Sequence, residues 1–194
     1  WIEMSACVMV NKQLTCNTQK NGPLSDPAVR THLYECISGL IQSSDNPLVK
    51  DQSIPLQLAT IPQYRKDAAV IATKLEQCGY TCKIHTATME QFKGPLRLES
   101  DLILFSLIRD QDEELRRTDL YLTLSEHLDE SSQWRVQMML QTVIESPLMT
   151  ERTAGLDRIE QFLLDHHLMF HLSEKPVETA YLPSVRGLSF NSQG

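Results

Sequence analysis

Glycine is the first scarcity. There are seven in 194 residues, scattered, with no Gly-x-Ser-x-Gly elbow, no P-loop and no Gly-x-Gly-x-x-Gly among them. A chain so built lacks both the backbone cradle of phosphate-binding enzymes and the strained turn that exposes a catalytic serine. Basic charge is the second scarcity: 18 Lys and Arg face 25 Asp and Glu, for a net charge of −7. A surface that grips nucleic-acid phosphates needs clustered cations, so this segment is not expected to touch DNA itself. Long apolar runs are the third. No stretch approaches the roughly 18 residues of a membrane-spanning helix, so no membrane contact is expected of this chain. Neither repeats nor low-complexity segments occur, and no charged n-region with an apolar signal segment precedes Trp1.

The chain opens on Trp1 rather than Met and stops in the strand-like Ser189-Phe190-Asn191-Ser192-Gln193-Gly194. Both ends read as cut, giving a single excised domain, 1–194, long enough for one good core. The five cysteines, Cys7, Cys16, Cys36, Cys78 and Cys82, form an odd set without the spacing of a disulfide framework. That count favours a reducing cytoplasm. Cys78 and Cys82 are separated by Gly79, Tyr80 and Thr81, with no second pair to complete a zinc site. Core packing is preferred there over metal or redox use, and no metal or cofactor is expected.

What is present is periodicity. Ser5 to Cys16 reads as one or two short strands around Asn11-Lys12-Gln13. Asp26 caps a helix with Pro27 in its first position, and Val29, Leu33, Cys36 or Ile37, and Leu40 share a face to about Ile41. Ser43-Ser44-Asp45-Asn46-Pro47 breaks the pattern. Ile54 to Ile61 alternates as a half-buried strand, and Tyr64 to Cys78 puts Ala68, Ile71, Ala72, Leu75 and Cys78 on one helical face. Gly79 falls where a left-handed cap is wanted, and Tyr80 to His85 is a further strand. Asp101 to Ile108 is too continuously apolar for an exposed edge and predicts a central strand covered on both faces. Trp134, Met138 or Met139, and Val143 fit a helix that ends before Pro147; Leu156, Ile159, Phe162 and Leu163 fit another that begins near Thr150. Leu168 to Leu172 and Tyr181 to Phe190 read as short return strands. The fold class is α/β, a mixed sheet with βαβ units and right-handed crossovers flanked by helices.

Two clusters compete for chemistry. His166, His167 and His171 come nearest to a metal set, but Leu168 to Leu172 reads as a strand, and no Glu stands at zinc-protease spacing; a helix-end or core role is preferred. The run Arg109-Asp110-Gln111-Asp112-Glu113-Glu114-Leu115-Arg116-Arg117 is on one account a solvated loop and first helical turn, with acids placed as the helix dipole favours. On the other account it is a site. Ligands of open α/β sheets bind beyond the carboxyl ends of strands, and this run leaves the most buried one. Asp110 there suits a ligand ammonium, and Arg109 a carboxylate or phosphate. No nucleophile with a base beside it can be nominated, so an enzyme is not expected.

Four blocks in order carry a resemblance over nearly the whole chain. They are Asn17 to Arg30; Ile54 to His85 with its helix–Gly79–strand junction; Asp101-Leu-Ile-Leu104 followed by Asp110; and Thr150-Glu151-Arg152 with Ile159-Glu160 and Leu163-Leu164, closing through Val185-Arg186-Gly187-Leu188 and Asn191. Together they resemble the carboxyl-terminal lobe of bacterial solute-binding proteins of family 5, the oligopeptide, dipeptide and nickel type. The resemblance implies a periplasmic-binding-protein-like lobe that closes with a second lobe of the same protein on a small-molecule or peptide ligand. It also implies that Asp110 holds a peptide's amino terminus; the aromatic residue usual three positions earlier is Leu107 here. One branch of the family is fused to an N-terminal helix-turn-helix and acts in the cytoplasm as a sugar-phosphate-stress-type transcriptional regulator. The cysteine count, the short span between Cys36 and Ile54, and Leu107 point to that branch. The expectation is thus the ligand-sensing lobe of a regulator that reaches DNA only through its helix-turn-helix domain. The alternative is the substrate-binding lobe of an extracytoplasmic, lipid-anchored receptor for a peptide ABC transporter.

Overall fold

The computed structural model describes residues 10–40, 53–108 and 112–172. Five strands within them form one sheet: β1 (Val10–Cys16), β2 (Ile54–Thr60), β3 (Tyr80–Thr86), β4 (Leu102–Ile108) and β5 (Met169–Leu172), in the order β3-β2-β4-β1-β5. β2 runs parallel to β3 and β4, whereas β1 is antiparallel to both β4 and β5. The apolar run of residues 101–108 therefore becomes the middle strand, and Leu102, Ile103 and Leu104 are fully buried, as a strand covered on both faces must be.

The helices are α1 (Pro27–Ile37), α2 (Arg65–Gln77), α3 (Met89–Phe92), α4 (Pro95–Glu99), α5 (Glu113–Ser125), α6 (Glu130–Glu145) and α7 (Met149–Asp165). The expected start of α1 holds: Asp26 Oδ1 accepts from the Ala28 N–H at 2.9 Å and Pro27 occupies the first turn. Its expected end does not. Gly39 takes a φ of +77°, which stops the helix at Ile37 and leaves Leu40 exposed rather than on the buried face. At the end of α2, Gly79 adopts a φ of +96°, the left-handed turn that leads the chain into β3.

One face of the sheet packs Leu14, Leu102, Leu104 and Phe170 against Leu33 and Ile37 of α1 and Ala68, Ile71 and Leu75 of α2. The opposite face carries α5, α6 and α7, joined around Leu120, Leu124, Val136, Leu140, Leu156, Ile159 and Leu163. Burial at these positions is worth about 1.5–3 kcal/mol for each large aliphatic side chain. Gly155 permits the close approach of α7 to α6, because a Cβ there would lie 2.5 Å from Val143 Cγ2. α6 differs from its sequence reading: the inward stripe is Val136, Leu140 and Val143, while Trp134 and Met138 face solvent. Apolar residues line both sides of this helix, and its packing against α5 and α7 selects between them. The short α3, with its Thr88–Gln91 capping box, and α4 have no counterpart in the sequence reading.

Cys36 of α1 and Cys78 at the end of α2 are joined as a disulfide. This corrects the expectation of unpaired cysteines: the sequence separation of 42 is bridged by the packing of the two helices, which spacing in the sequence does not reveal. The expected strand at Tyr181–Phe190 and the first part of the Ser5–Cys16 strand region lie outside the described residues.

Candidate ligand cleft

The Asn17–Arg30 stretch is a structural clasp. Asn17 is buried, and its Nδ2 donates to the carbonyls of Leu98 and Ser100 at 2.7 and 2.8 Å. Its Oδ1 accepts from the N–H groups of Gln19 and Lys20 at 3.1 and 3.0 Å. Thr18 Oγ1 bonds Asp129 Oδ1 and also accepts from the Asp129 N–H, which fixes the start of α6. Although burial opposes it, the bonds to Ser132 and Thr18 hold the Asp129 carboxyl below its ordinary pKa. Arg30 ties α1 to the end of α7 through the His166 carbonyl and to its own approach through the carbonyl of Leu24.

The residues nominated from the sequence, Arg109 and Asp110, lie outside the described residues, between Ile108 of β4 and α5. α5, which follows them, forms one wall of a cleft of about 480 Å³. Gln13 of β1 and Met169 and His171 of β5 line it from the sheet, α5 contributes Glu113, Arg117, Leu120 and Tyr121, and α7 contributes Thr153, Asp157 and Glu160. α5 begins at Glu113 with Glu113 and Glu114 in its first turn, the placement expected of that charged run.

Charged pairs cross the cleft walls. Arg117 Nη1 lies 2.9 Å from Asp157 Oδ1, and its Nη2 donates to the Tyr121 hydroxyl at 3.2 Å. Burial works against the charge on Arg117, but the bonds from Tyr121 and Asp157 outweigh it and raise its pKa. Tyr121 is pushed up to about 12 by burial, against the opposing pull of Arg117. A phenol so placed holds its proton at neutral pH and serves as a hydrogen-bonding wall rather than a base. Gln13 is 2% exposed, and its Oε1 has no hydrogen-bond partner. The sequence reading placed Gln13 in the polar group around which one or two short strands were expected. The signal that could have found it is the alternation of Gln13 and Thr15 on one face of β1.

The three histidines do not converge, and among the described residues no group of three His, Cys, Asp or Glu side chains has a metal-binding arrangement. His166 caps the end of α7 with its ring on Phe162, His167 stacks on Tyr34 at 4.8 Å, and His171 points to Glu160 at 3.2 Å. Burial raises the thiol pKa of Cys16 to about 12 and of Cys82 to about 11, in keeping with a core role for both.

This arrangement, a five-stranded mixed sheet flanked by helices, is that of a lobe of the periplasmic binding proteins. Among solved structures it is similar to the MppA periplasmic murein tripeptide binding protein in its unliganded open form, with a TM-score of 0.58 at 15% identity, over 84% of this chain and 41% of that one. NikA from Brucella suis in complex with Fe(III)-EDTA gives 0.63 at 14% identity, over 84% and 44%. DppA from Helicobacter pylori, bound to the peptide STSA, gives 0.56 at 14%, over 84% and 41%. The chain thus spans less than half the length of the proteins it resembles. No protein-family model matches the sequence, and no curated protein does.

Proposed function

We propose that this chain is the ligand-binding lobe of a two-lobed receptor that closes on a peptide or comparable small solute. The observation that carries the reading is the cleft between β1, β5, α5 and α7, on a lobe of binding-protein fold, with the helix that follows the central strand as one wall. Asp110, in the four-residue link between β4 and α5, takes the ligand's amino group in this reading, with Arg109 beside it for a carboxylate. Closure shifts a population between open and closed forms, and the ligand supplies the difference in free energy.

Of the two settings for such a lobe, we favour the extracytoplasmic transport receptor over the sensor of a helix-turn-helix regulator. The regulator reading drew on unpaired cysteines in a reducing cytoplasm, and the Cys36–Cys78 bond takes two of the five from that count. Such bonds persist in oxidising compartments.

Solution scattering and titration calorimetry on the full-length protein, with a mixture of tri- to pentapeptides, test the reading. The radius of gyration is expected to fall at saturation, and Asp110→Asn to weaken binding by about 1.5–3 kcal/mol, the scale of a charge-assisted hydrogen bond. Absence of compaction and of binding heat overturns the receptor reading. Turnover of a bound peptide that is lost in Asp110→Asn makes the protein an enzyme instead.

A further inference from the structure

The outer face of the α5–α6 hairpin is apolar where a solvent-facing surface is ordinarily polar. Seven of the twelve large apolar side chains exposed among the described residues fall between Leu115 and Met149. Trp134 is 64% exposed and Ile144 68%. Helical spacing gathers them. Leu115, Thr118 and Leu122 follow one another at three and four residues along α5, as Trp134, Met138, Gln141 and Ile144 do along α6. Between the two helices runs a groove of about 320 Å³, floored by the buried Leu140 and flanked by Leu122 and Ile144, with Thr118, Gln137 and Gln141 as polar points along it. Apolar side chains scattered singly mean nothing, but a contiguous set around a groove marks a docking surface.

Charge says what docks. The same two stripes carry Asp119 and Glu126 on the α5 side and Glu130 and Glu145 on the α6 side, all exposed. The arginines of the hairpin are placed elsewhere. Arg117 pairs with Asp157, Arg135 lies over the Phe162 ring of α7 at 5.2 Å from its centroid, and Arg116 is turned about 100° from Leu115. Arg97 offsets Glu126 at 2.8 Å, and Glu145 accepts from the neutral Gln141. The rim is therefore negative around an apolar middle. A second copy laid face to face would set carboxylate against carboxylate, and an anionic lipid surface would be repelled. A helix with an apolar stripe and with lysines or arginines on its flanks satisfies both the groove and its rim.

We propose that the α5–α6 face docks a basic amphipathic helix of a partner protein. Aliphatic side chains one helical turn apart enter the groove beside Leu122, Leu140 and Ile144, and Trp134 and Met138 extend the contact across α6. The flanking cations of the helix meet Asp119, Glu130 and Glu145. The surface is independent of the ligand cleft: α5 turns Arg117, Leu120 and Tyr121 to the cleft and Thr118 and Leu122 to the groove, so the two share a helix and no lining residue.

Calorimetry on the full-length protein with three helical peptides of about 18 residues, or five turns, tests it. One has a leucine stripe flanked by lysines, the second replaces the lysines by glutamates, and the third replaces the leucines by serines. All are capped at both ends, so that no free amino terminus is offered to the ligand cleft. The leucine–lysine peptide is expected to bind at least about tenfold tighter than either of the others. Leu122→Glu and Ile144→Glu, at exposed positions that spare the core, are each expected to weaken it about tenfold, and Asp119→Lys with Glu145→Lys to move the preference toward the glutamate peptide. Absence of binding, equal affinity for the lysine and glutamate peptides, or binding that persists in both glutamate variants overturns the proposal. A wild-type dimer in sedimentation that Ile144→Glu dissolves gives the face to a second copy and overturns it too. So does acrylamide that fails to quench Trp134, read as the difference from Trp134→Phe, because the rest of the protein then covers the face. None of these outcomes bears on ligand closure, which scattering reads separately.

Discussion

Gln13 and Asn17 carry the same functional group four residues apart, one within β1 and one just past its end, and both are buried. Every hydrogen-bonding position of the Asn17 carboxamide is used: two N–H groups on the carbonyls of Leu98 and Ser100, and one oxygen shared by two backbone N–H groups. That of Gln13 is left with an orphaned oxygen. Burial alone does not separate the two amides; the state of their valences does. The clasp at Asn17 closes on itself, whereas the Gln13 oxygen has no partner. His127 qualifies this rule. It is 1% exposed with both ring nitrogens unpartnered, yet its carbonyl serves the clasp by accepting from Thr18 and Gln19, and its side chain is not part of the cleft lining.

Three measurements bear on this contrast. The largest effect is expected from Asn17→Ala, which removes one buried and three partly buried hydrogen bonds, although the Gln19 N–H keeps its bond to the His127 carbonyl. Urea denaturation should register a loss of about 2–3 kcal/mol, and a loss under about 1 kcal/mol would dissolve the distinction. Next is the pH response set by His127, whose pKa falls to about 3 through burial and, secondarily, the nearby Arg97 cation. The unfolded chain takes up this proton near pH 6.5 and the folded chain does not. The associated stability is therefore complete above about 6.5 and is lost progressively as pH falls toward 3. Urea midpoints across this range should drop in the wild type and flatten in His127→Leu; a slope left intact by the substitution removes His127 as its source. The smallest effect is expected from Gln13→Met. Thermal unfolding of the unliganded protein should show a change within about 1 kcal/mol, on the stabilising side. A loss comparable with that of Asn17→Ala would place Gln13 among the structural amides.

Much of the fold was legible because its signals are local. The alternation of Ile54, Leu56 and Leu58, the one-sided stripe of Ala68, Ile71, Ala72 and Leu75, and the left-handed Gly79 each follow from backbone geometry over a few residues. The continuous run at 101–108 located the centre of the sheet for the same reason. What escaped depends on partners distant in the chain. Trp134 and Val136 compete as inward residues of α6, and only the positions of α5 and α7 decide for Val136. Cys36 meets Cys78 because α1 crosses α2. Whether Gln13 continued one strand or separated two stayed open, because nothing near it in sequence announces the two helices that line the cleft with it. For the site, the sequence pointed to Arg109 and Asp110 after β4, and both fall outside the described residues.

The register of β1 has a topological consequence. Val10 pairs with Ile108 and Lys12 with Leu172, so β1 is entered, β5 is left and β4 stops at one end of the sheet. The first residue of β1 and the last residues of β4 and β5 thus lie side by side, so one edge of the sheet gathers three strand ends that are far apart in the sequence.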